Sequence, residues 1–257
     1  MIKVQAVPIY SDNYVWFIIH KNACFVVDPG DAKPIIAFIK AQNLVLKGIL
    51  ITHGHWDHVT GIDELLVYAS VPVWGPKRLD HPSLTHPLEQ DDLLTLQLED
   101  IQLQAHILDT PGHRFDHICY HFAEHAWLFC GDVLFSAGCG RVGGEMRDAY
   151  HSLQKLAELP GKTLVFCTHE YTLDNLRFAI TAEPNNDALK AYQTQVKQMR
   201  QLGKPSLPTT IEQEHAINPF LRLDSPEIAQ SIQSVMKKTP STDFDTFEQL
   251  RLWKNRF

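Results

Sequence analysis

The segment His53-Gly54-His55-Trp56-Asp57-His58 sets four potential metal donors side by side, directly after the apolar run Gly48-Ile49-Leu50-Ile51. Imidazole nitrogen and carboxylate oxygen are good donors for borderline divalent metals, zinc above all. Later segments add more. His113 closes Thr110-Pro111-Gly112-His113, Asp132 closes Cys130-Gly131-Asp132, and His169 stands in Cys167-Thr168-His169-Glu170. Each follows a strand-like run, and strand ends opening onto loops let a rigid scaffold aim several side chains at one point. Five histidines and two aspartates are too many for one tetrahedral ion. They suit two ions about 3.5–4 Å apart that share a bridging carboxylate and a bridging hydroxide, an arrangement that activates water. Spacing alone does not divide the donors between the ions.

Other chemistries find less support. A serine hydrolase would favour G-x-S-x-G, which is absent. The phosphate-cradling pattern G-x-x-x-x-G-K-[ST] is absent too. Cys139 lies in Gly138-Cys139-Gly140, but no histidine stands out as its base. His20, His81, His86, His106, His121, His125, His151 and His215 fall outside the clusters and read as ordinary surface residues.

The elements that must position these groups alternate between periods of two and 3.6 residues. Val15–Ile19 and Cys24–Val27 read as strands, the second stopped by Asp28-Pro29-Gly30. Ala32–Ala41 and Gly61–Tyr68 read as helices, Gly48–Ile51 and Val71–Trp74 as short strands. Ile101–Leu108, Ile118–Phe122, Trp127–Cys130 and Thr163–Cys167 are further strands, and Ala149–Leu159 is a helix stopped by Pro160-Gly161. Beyond His169 the pattern turns helical over 173–181, 186–202, 226–235 and 243–254. The expected organisation is a mixed domain over 1–170 and a helical domain over 171–257.

Bulk properties narrow the class. A chain of 257 residues that is 44% hydrophobic and 21% charged can bury a real core. A net charge of −7 without a long basic run argues against nucleic acid as partner. The acidic excess lies before residue 173, and the last third is nearly balanced and less hostile to an anion. No apolar stretch approaches the roughly 20 residues that span a bilayer, and the N-terminus lacks the pattern of a secretory signal. Five scattered cysteines without a C-x-x-C pair fit a reducing compartment. The expectation is a cytoplasmic protein, monomeric, with no membrane partner.

The donor set resembles that of the metallo-β-lactamase superfamily. The resemblance implies an α+β fold, an αββα sandwich with its metals at one edge, here followed by a helical C-terminal domain. It further implies one metal on His53, His55 and His113, a second on Asp57, His58 and His169, and Asp132 bridging them. Outside the metal motif, Phe135-Ser136-Ala137-Gly138-Cys139-Gly140-Arg141, Thr168-His169-Glu170-Tyr171-Thr172, Asn218-Pro219-Phe220-Leu221-Arg222 and Arg251-Leu252-Trp253-Lys254 resemble the glyoxalase II family, the hydroxyacylglutathione hydrolases. That likeness covers nearly the whole chain.

It implies a glutathione thioester as substrate, bound by Arg141, Tyr171, Arg251 and Lys254. Arg and Lys in a partly desolvated groove bind the two carboxylates of glutathione well. Taken alone, Arg251 and Lys254 read as a solvated helix face and Tyr171 as a packing or surface residue. The implied reaction is hydrolysis of S-D-lactoylglutathione to D-lactate and glutathione, the second step of methylglyoxal detoxification. The hydroxide between two divalent ions, Zn2+ first with Fe or Mn as alternatives, attacks the thioester carbonyl. Asp132 and Asp57 are the catalytic carboxylates, Asp57 also orienting the hydroxide. Rival readings are a single-iron glutathione persulfide dioxygenase and a lactonase of the same superfamily. Two segments depart from the family pattern: Val142-Gly143-Gly144-Glu145-Met146 lacks an expected aromatic residue, and Arg114-Phe115-Asp116-His117 adds an arginine and an aspartate beside the first metal.

Overall fold

The computed structural model describes residues 1–257. Its first sheet holds six strands in chain order: β1 (Ile2–Ile9), β2 (Asn13–His20), β3 (Ala23–Val27), β4 (Val45–Leu50), β5 (Val73–Pro76) and β6 (His86–Leu88). Helices α1 (Ala32–Ala41), α2 (Trp56–Val59) and α3 (Ile62–Tyr68) lie between these strands in sequence. The Asp31 carboxylate caps α1 by accepting from Lys33 N at 3.0 Å. The second sheet draws on β7 (Leu93–Leu98), β8 (Ile101–Asp109), β9 (Ile118–Phe122) and β10 (Trp127–Gly131), then β13 (Leu164–Cys167) and β14 (Thr209–Thr210), in the spatial order β14-β13-β10-β9-β8-β7. Between β10 and β13 come a small hairpin, β11 (Leu134–Phe135) with β12 (Gly138–Cys139), and helix α4 (Met146–Ala157).

Strand β2 shows why the sheets stack. All eight of its residues are buried. Tyr14, Trp16 and Ile18 enter the core shared with Leu94, Leu96, Ile107 and Phe129 of the second sheet. Val15, Phe17 and Ile19 pack on the other face with Ile35 and Ile39 of α1 and Leu65 of α3. A strand covered on both faces reads as a continuous apolar run, since period two then separates two apolar faces.

The chain ends in helices α5 (Thr172–Ala182), α6 (Asp187–Gln201), α7 (Ile211–Ile217), α8 (Pro226–Met236) and α9 (Asp243–Lys254). Leu176, Ala179, Leu189, Tyr192, Val196 and Ile217 of α5–α7 form a small apolar cluster with Ala137, and other helical residues join the sandwich. Phe178, Phe220, Phe247, Leu250 and Trp253 belong to the same apolar cluster as the sandwich interior, and β14, lying between α6 and α7, pairs with β13. No helix is long and apolar enough to cross a membrane.

Several elements differ from the expectation. β1, β7 and α7 were not anticipated. β7 carries a clear alternation, its six residues exposed and buried in turn. His20 and His121, expected at the surface, are buried at 8% and 9% exposure because each lies inside a covered strand. Arg251 is not on a solvated helix face: it is 4% exposed, on the side of α9 that buries Phe247 and Leu250.

Candidate metal centre

The donors gather where strands end. His53 follows β4, His113 follows β8, Asp132 follows β10 and His169 follows β13, while Asp57 and His58 sit in the short helix α2. Backbone bonds stitch the sheets at this edge: Tyr14 N donates to Thr168 O at 2.7 Å and Ile118 N to Thr52 O at 2.9 Å. Gly131 makes the approach possible. It has φ +47°, and a Cβ there would lie 2.4 Å from Thr52 Oγ1 and 2.7 Å from His117 Nε2.

Two groups of donor atoms converge. His53, His55, His113 and Asp132 form one, and Asp57, His58 and His169 the other. In the first, His55 Nδ1 lies 3.1 Å from His53 Nε2 and 2.8 Å from His113 Nε2. In the second, His169 Nε2 is 3.5 Å and His58 Nε2 is 3.6 Å from Asp57 Oδ2. Asp132 touches both groups, with Oδ1 3.5 Å from His58 and Oδ2 3.5 Å from His113 and 3.3 Å from His169. Ligands about 2.0–2.1 Å from a tetrahedral ion stand about 3.3 Å from one another, so these separations fit one ion in each group.

The ring nitrogens are turned inward by what holds their far sides. Thr52 Oγ1 donates to Asp28 Oδ2 at 2.7 Å and therefore accepts from His53 Nδ1–H at 3.1 Å. His113 Nδ1 donates to Arg141 O at 2.8 Å, and His169 Nδ1 to Asp12 Oδ1 at 2.8 Å. His58 Nδ1 is 3.0 Å from Asp28 Oδ2. Each of these four rings presents Nε2 to the centre, and His55 alone presents Nδ1. Such outer partners fix the tautomer and orientation of a ligating imidazole. His58 Nε2 and Asp132 Oδ1 are sealed from solvent and have no hydrogen-bond partner. Buried polar atoms left this way cost energy unless something binds them, and here both point at a cation-sized gap among donors. The residues present therefore fit divalent metal.

Charge is uneven across the cluster. Burial, then neighbouring His58 and His117, holds His53 well below the ordinary histidine range. For His58 burial acts the same way, but Asp132 and Asp28 outweigh it and raise the ring well above that range. His169 is likewise raised, Asp132 and Asp12 overcoming burial. Asp132 is held far below the usual carboxylate range: burial opposes ionisation, and His58 and His169 more than offset it.

Sequence reasoning missed four supports: Asp12, Asn13, Asp28 and His117. Asn13 Nδ2 donates to Asp57 Oδ2 at 2.9 Å. His117 is 1% exposed and stacks on His53 with centroids 4.7 Å apart. Its Nε2 accepts from Asp132 N at 3.2 Å, so its Nδ1–H donates to Thr110 Oγ1 at 3.0 Å. The available signals were the turn Asp28-Pro29-Gly30 at a strand end, and a second histidine four residues after His113.

The four residues expected to meet substrate are placed around this centre. Tyr171 stacks on His169 at 4.6 Å with nearly parallel rings and stays 38% exposed. Burial, then Asp12, raises its phenol far enough that it remains a donor at neutral pH. Arg141 is exposed, its carbonyl tied to His113. The departing segment after it is pinned, since Gly143 N and Gly144 N both donate to Gly112 O at 3.0 Å. Arg251 Nη1 donates to Cys139 O at 3.1 Å and Gly140 O at 3.4 Å, and its Nη2 makes no such bond. Lys254 Nζ bonds to Asn175 Oδ1 and lies 5.7 Å from the Phe178 and Phe220 ring centroids.

Comparison with known proteins agrees with this geometry. Residues 11–169 match the model of the metallo-β-lactamase superfamily, and residues 170–257 match that of the hydroxyacylglutathione hydrolase C-terminus. Two curated hydroxyacylglutathione hydrolases, from Vibrio parahaemolyticus and Aliivibrio fischeri, are each 44% identical over 260 residues, covering 100% of both chains. The chain belongs to the hydroxyacylglutathione hydrolase family. Among solved structures, a B3 metallo-β-lactamase, BLEG-1, is similar at TM-score 0.62 and 24% identity, covering 86% of this chain and 100% of that one. ETHE1 from Myxococcus xanthus is similar at TM-score 0.64 and 20% identity, covering 96% and 95%. At that identity these two speak for the fold alone. The family membership rests on full-length kinship, including the helical C-terminal region from which Tyr171, Arg251 and Lys254 come.

Proposed function

We infer that this chain hydrolyses S-(2-hydroxyacyl)glutathione thioesters, releasing glutathione and a 2-hydroxy acid, with S-D-lactoylglutathione giving D-lactate. The observation that carries the reading is Lys254, whose Nζ is set against Asn175 and against Gly138 of the hairpin that follows Asp132. Burial pushes its ammonium down to about 8, and no carboxylate of the chain lies within ion-pair distance. A desolvated cation without a counter-ion is costly and is relieved by an anionic ligand. Glutathione carries two carboxylates, and Arg251 Nη2, Arg141 and the Tyr171 hydroxyl supply the remaining donors around it.

Two divalent ions, zinc by donor chemistry with iron or manganese as alternatives, would be held by His53, His55 and His113 and by Asp57, His58 and His169, Asp132 being shared. When bound they supply Lewis acidity and a water of lowered pKa. The protein's own part is orientation. Asn13 holds Asp57 through Oδ2, leaving Oδ1 free to accept a proton from the attacking water. His117 and the Asp132 amide fix the loop that carries the shared carboxylate. The clamp from Tyr171, Arg251 and Lys254 orients the sulfur side of the thioester, converting binding energy into alignment. The region from residue 171 onward is proposed as the substrate-binding part, and residues 1–170 as the catalytic part. The reading includes a cytoplasmic monomer, consistent with five buried, unpaired cysteines.

Elemental analysis of the purified protein, joined to an ultraviolet assay of thioester loss, tests this. Two metal equivalents and turnover of S-D-lactoylglutathione are expected. A metal-loaded protein that leaves the thioester intact and consumes oxygen with glutathione persulfide would overturn it in favour of the dioxygenase.

A further inference from the structure

The loop that departs from the family pattern builds a second cationic feature, against Gly54 in the first donor segment. Asp116 is buried, and its two oxygens accept from Arg114 Nε at 2.7 Å and Nη2 at 3.1 Å. The side-on pairing uses one edge of the guanidinium and fixes its plane. Nη1 donates to nothing in the protein, and the side chain is 28% exposed. The guanidinium lies 5.6 Å from the Phe115 ring centroid, and Phe115 is 62% exposed. Phe115 O accepts from Arg78 Nη1 at 3.2 Å, which brings a second, exposed guanidinium to the same rim.

The pair is seated between two metal-binding residues. A Cβ on Gly54, between His53 and His55, would stand 2.9 Å from Asp116 Oδ2 and 3.4 Å from Arg114 Nη2. The lack of a side chain at Gly54 thus makes room for a charged pair in the wall of the first donor group. A buried aspartate that only balanced its own arginine would leave both stems hidden. Here the carboxylate is hidden and the donor edge is turned outward, next to an exposed aromatic ring.

We propose that Arg114, held by Asp116 and flanked by Phe115 and Arg78, is a specificity-determining residue that receives a carboxylate on the acyl group of the thioester. The inference rests on the thioesterase reading above. With the glutathione end held by Tyr171, Arg251 and Lys254, the acyl end leaves the reaction centre toward His55, His113 and the loop that follows. An acyl chain ending in a carboxylate reaches Nη1 there with a charge-assisted hydrogen bond, which a neutral acyl chain cannot make.

The test compares kcat/KM for S-succinylglutathione and S-acetylglutathione in wild type and in variants. Removing Arg114 alone would strand the buried Asp116 charge beside the metal ligands, so the main variant is the double change Arg114→Thr with Asp116→Gly, and Arg114→Lys is the second. The double variant is expected to lower the succinyl-to-acetyl ratio by about tenfold, the scale of one lost charge-assisted bond. Arg114→Lys, which keeps the charge and loses the fork, is expected to fall between. A ratio unchanged within twofold in both variants overturns the subsite while leaving the thioesterase reading intact. Wild type that turns over S-D-lactoylglutathione but not S-succinylglutathione overturns the subsite alone, and wild type inactive on S-D-lactoylglutathione as well overturns the thioesterase reading with it.

Discussion

Behind His53 and His113 the supporting groups are neutral: the Thr52 hydroxyl and the Arg141 carbonyl. Around His58 and His169 they are carboxylates, Asp28 at 3.0 Å and Asp12 at 2.8 Å. The difference carries through to proton affinity. His53 and His55 are pushed down, burial being the largest cause in both, while for His58 and His169 Asp132 first, joined by Asp28 and Asp12 respectively, outweighs burial and raises the ring. A carboxylate behind an imidazole makes it a more basic ligand, so the second group should grip its ion harder once deprotonated. It also has more protons to lose on loading. One scaffold edge therefore builds two unlike seats from nearly the same residue types.

The comparison breaks most completely at the one residue common to both seats. Asp132→Ala removes an oxygen from each group and leaves His58 and His169 without the carboxylate that faces them. Metal content and turnover should fall together, by more than the about 10–100-fold typical of losing an outer partner. Elemental analysis alongside thioester turnover checks this. Full activity with one equivalent of metal would sink the two-ion account.

A smaller change sharpens the asymmetry. Asp12→Ala takes the carboxylate from His169 Nδ1 and touches no donor atom directly. Affinity of the second group for its ion is expected to drop about 10–100-fold, and the first group should be little affected. Stepwise chelator titration separates the two ions. Equal weakening of both would show that the carboxylate supports do not distinguish the seats.

The same contrast decides what could be read from the amino-acid order. Donors at the centre come in recognisable types at strand ends, and the runs before them are apolar on both faces, so strands and donors are found together. Asp12 and Asn13 give no such signal. Asp12 reaches His169 because the start of β2 meets the end of β13, a contact between residues more than 150 positions apart, and Asn13 reaches Asp57 across 44 positions. His20 and His121 misled for the opposite reason: an imidazole inside a strand tells nothing about which face is covered. Arg251 was legible in principle. Phe247, Leu250, Arg251 and Lys254 stand at i, i+3, i+4 and i+7, one helical face, and that face enters the shared core. Reading it as solvated followed charge and ignored period. That Phe178, Phe220, Phe247 and Trp253 join the sandwich core was not legible, because periodicity shows that a face is apolar and not what it packs against.

The finest prediction extends the contrast to the rim. Arg114 has its carboxylate, whereas Lys254 has none and titrates near 8 because burial disfavours its ammonium. Only the ammonium pairs with a substrate carboxylate, so binding is intact below pH 8 and is lost as pH rises through that value. The kcat/KM profile reports groups of the free enzyme, and should therefore show a descending limb near pH 8 for glutathione thioesters. A small neutral thioester should lack this limb. Lys254→Arg keeps its charge throughout this range and should move the limb to higher pH, while the amino group of glutathione itself titrates identically with both proteins. A limb that persists unchanged in Lys254→Arg would assign it elsewhere and leave Lys254 as a packing residue between Phe178 and Phe220.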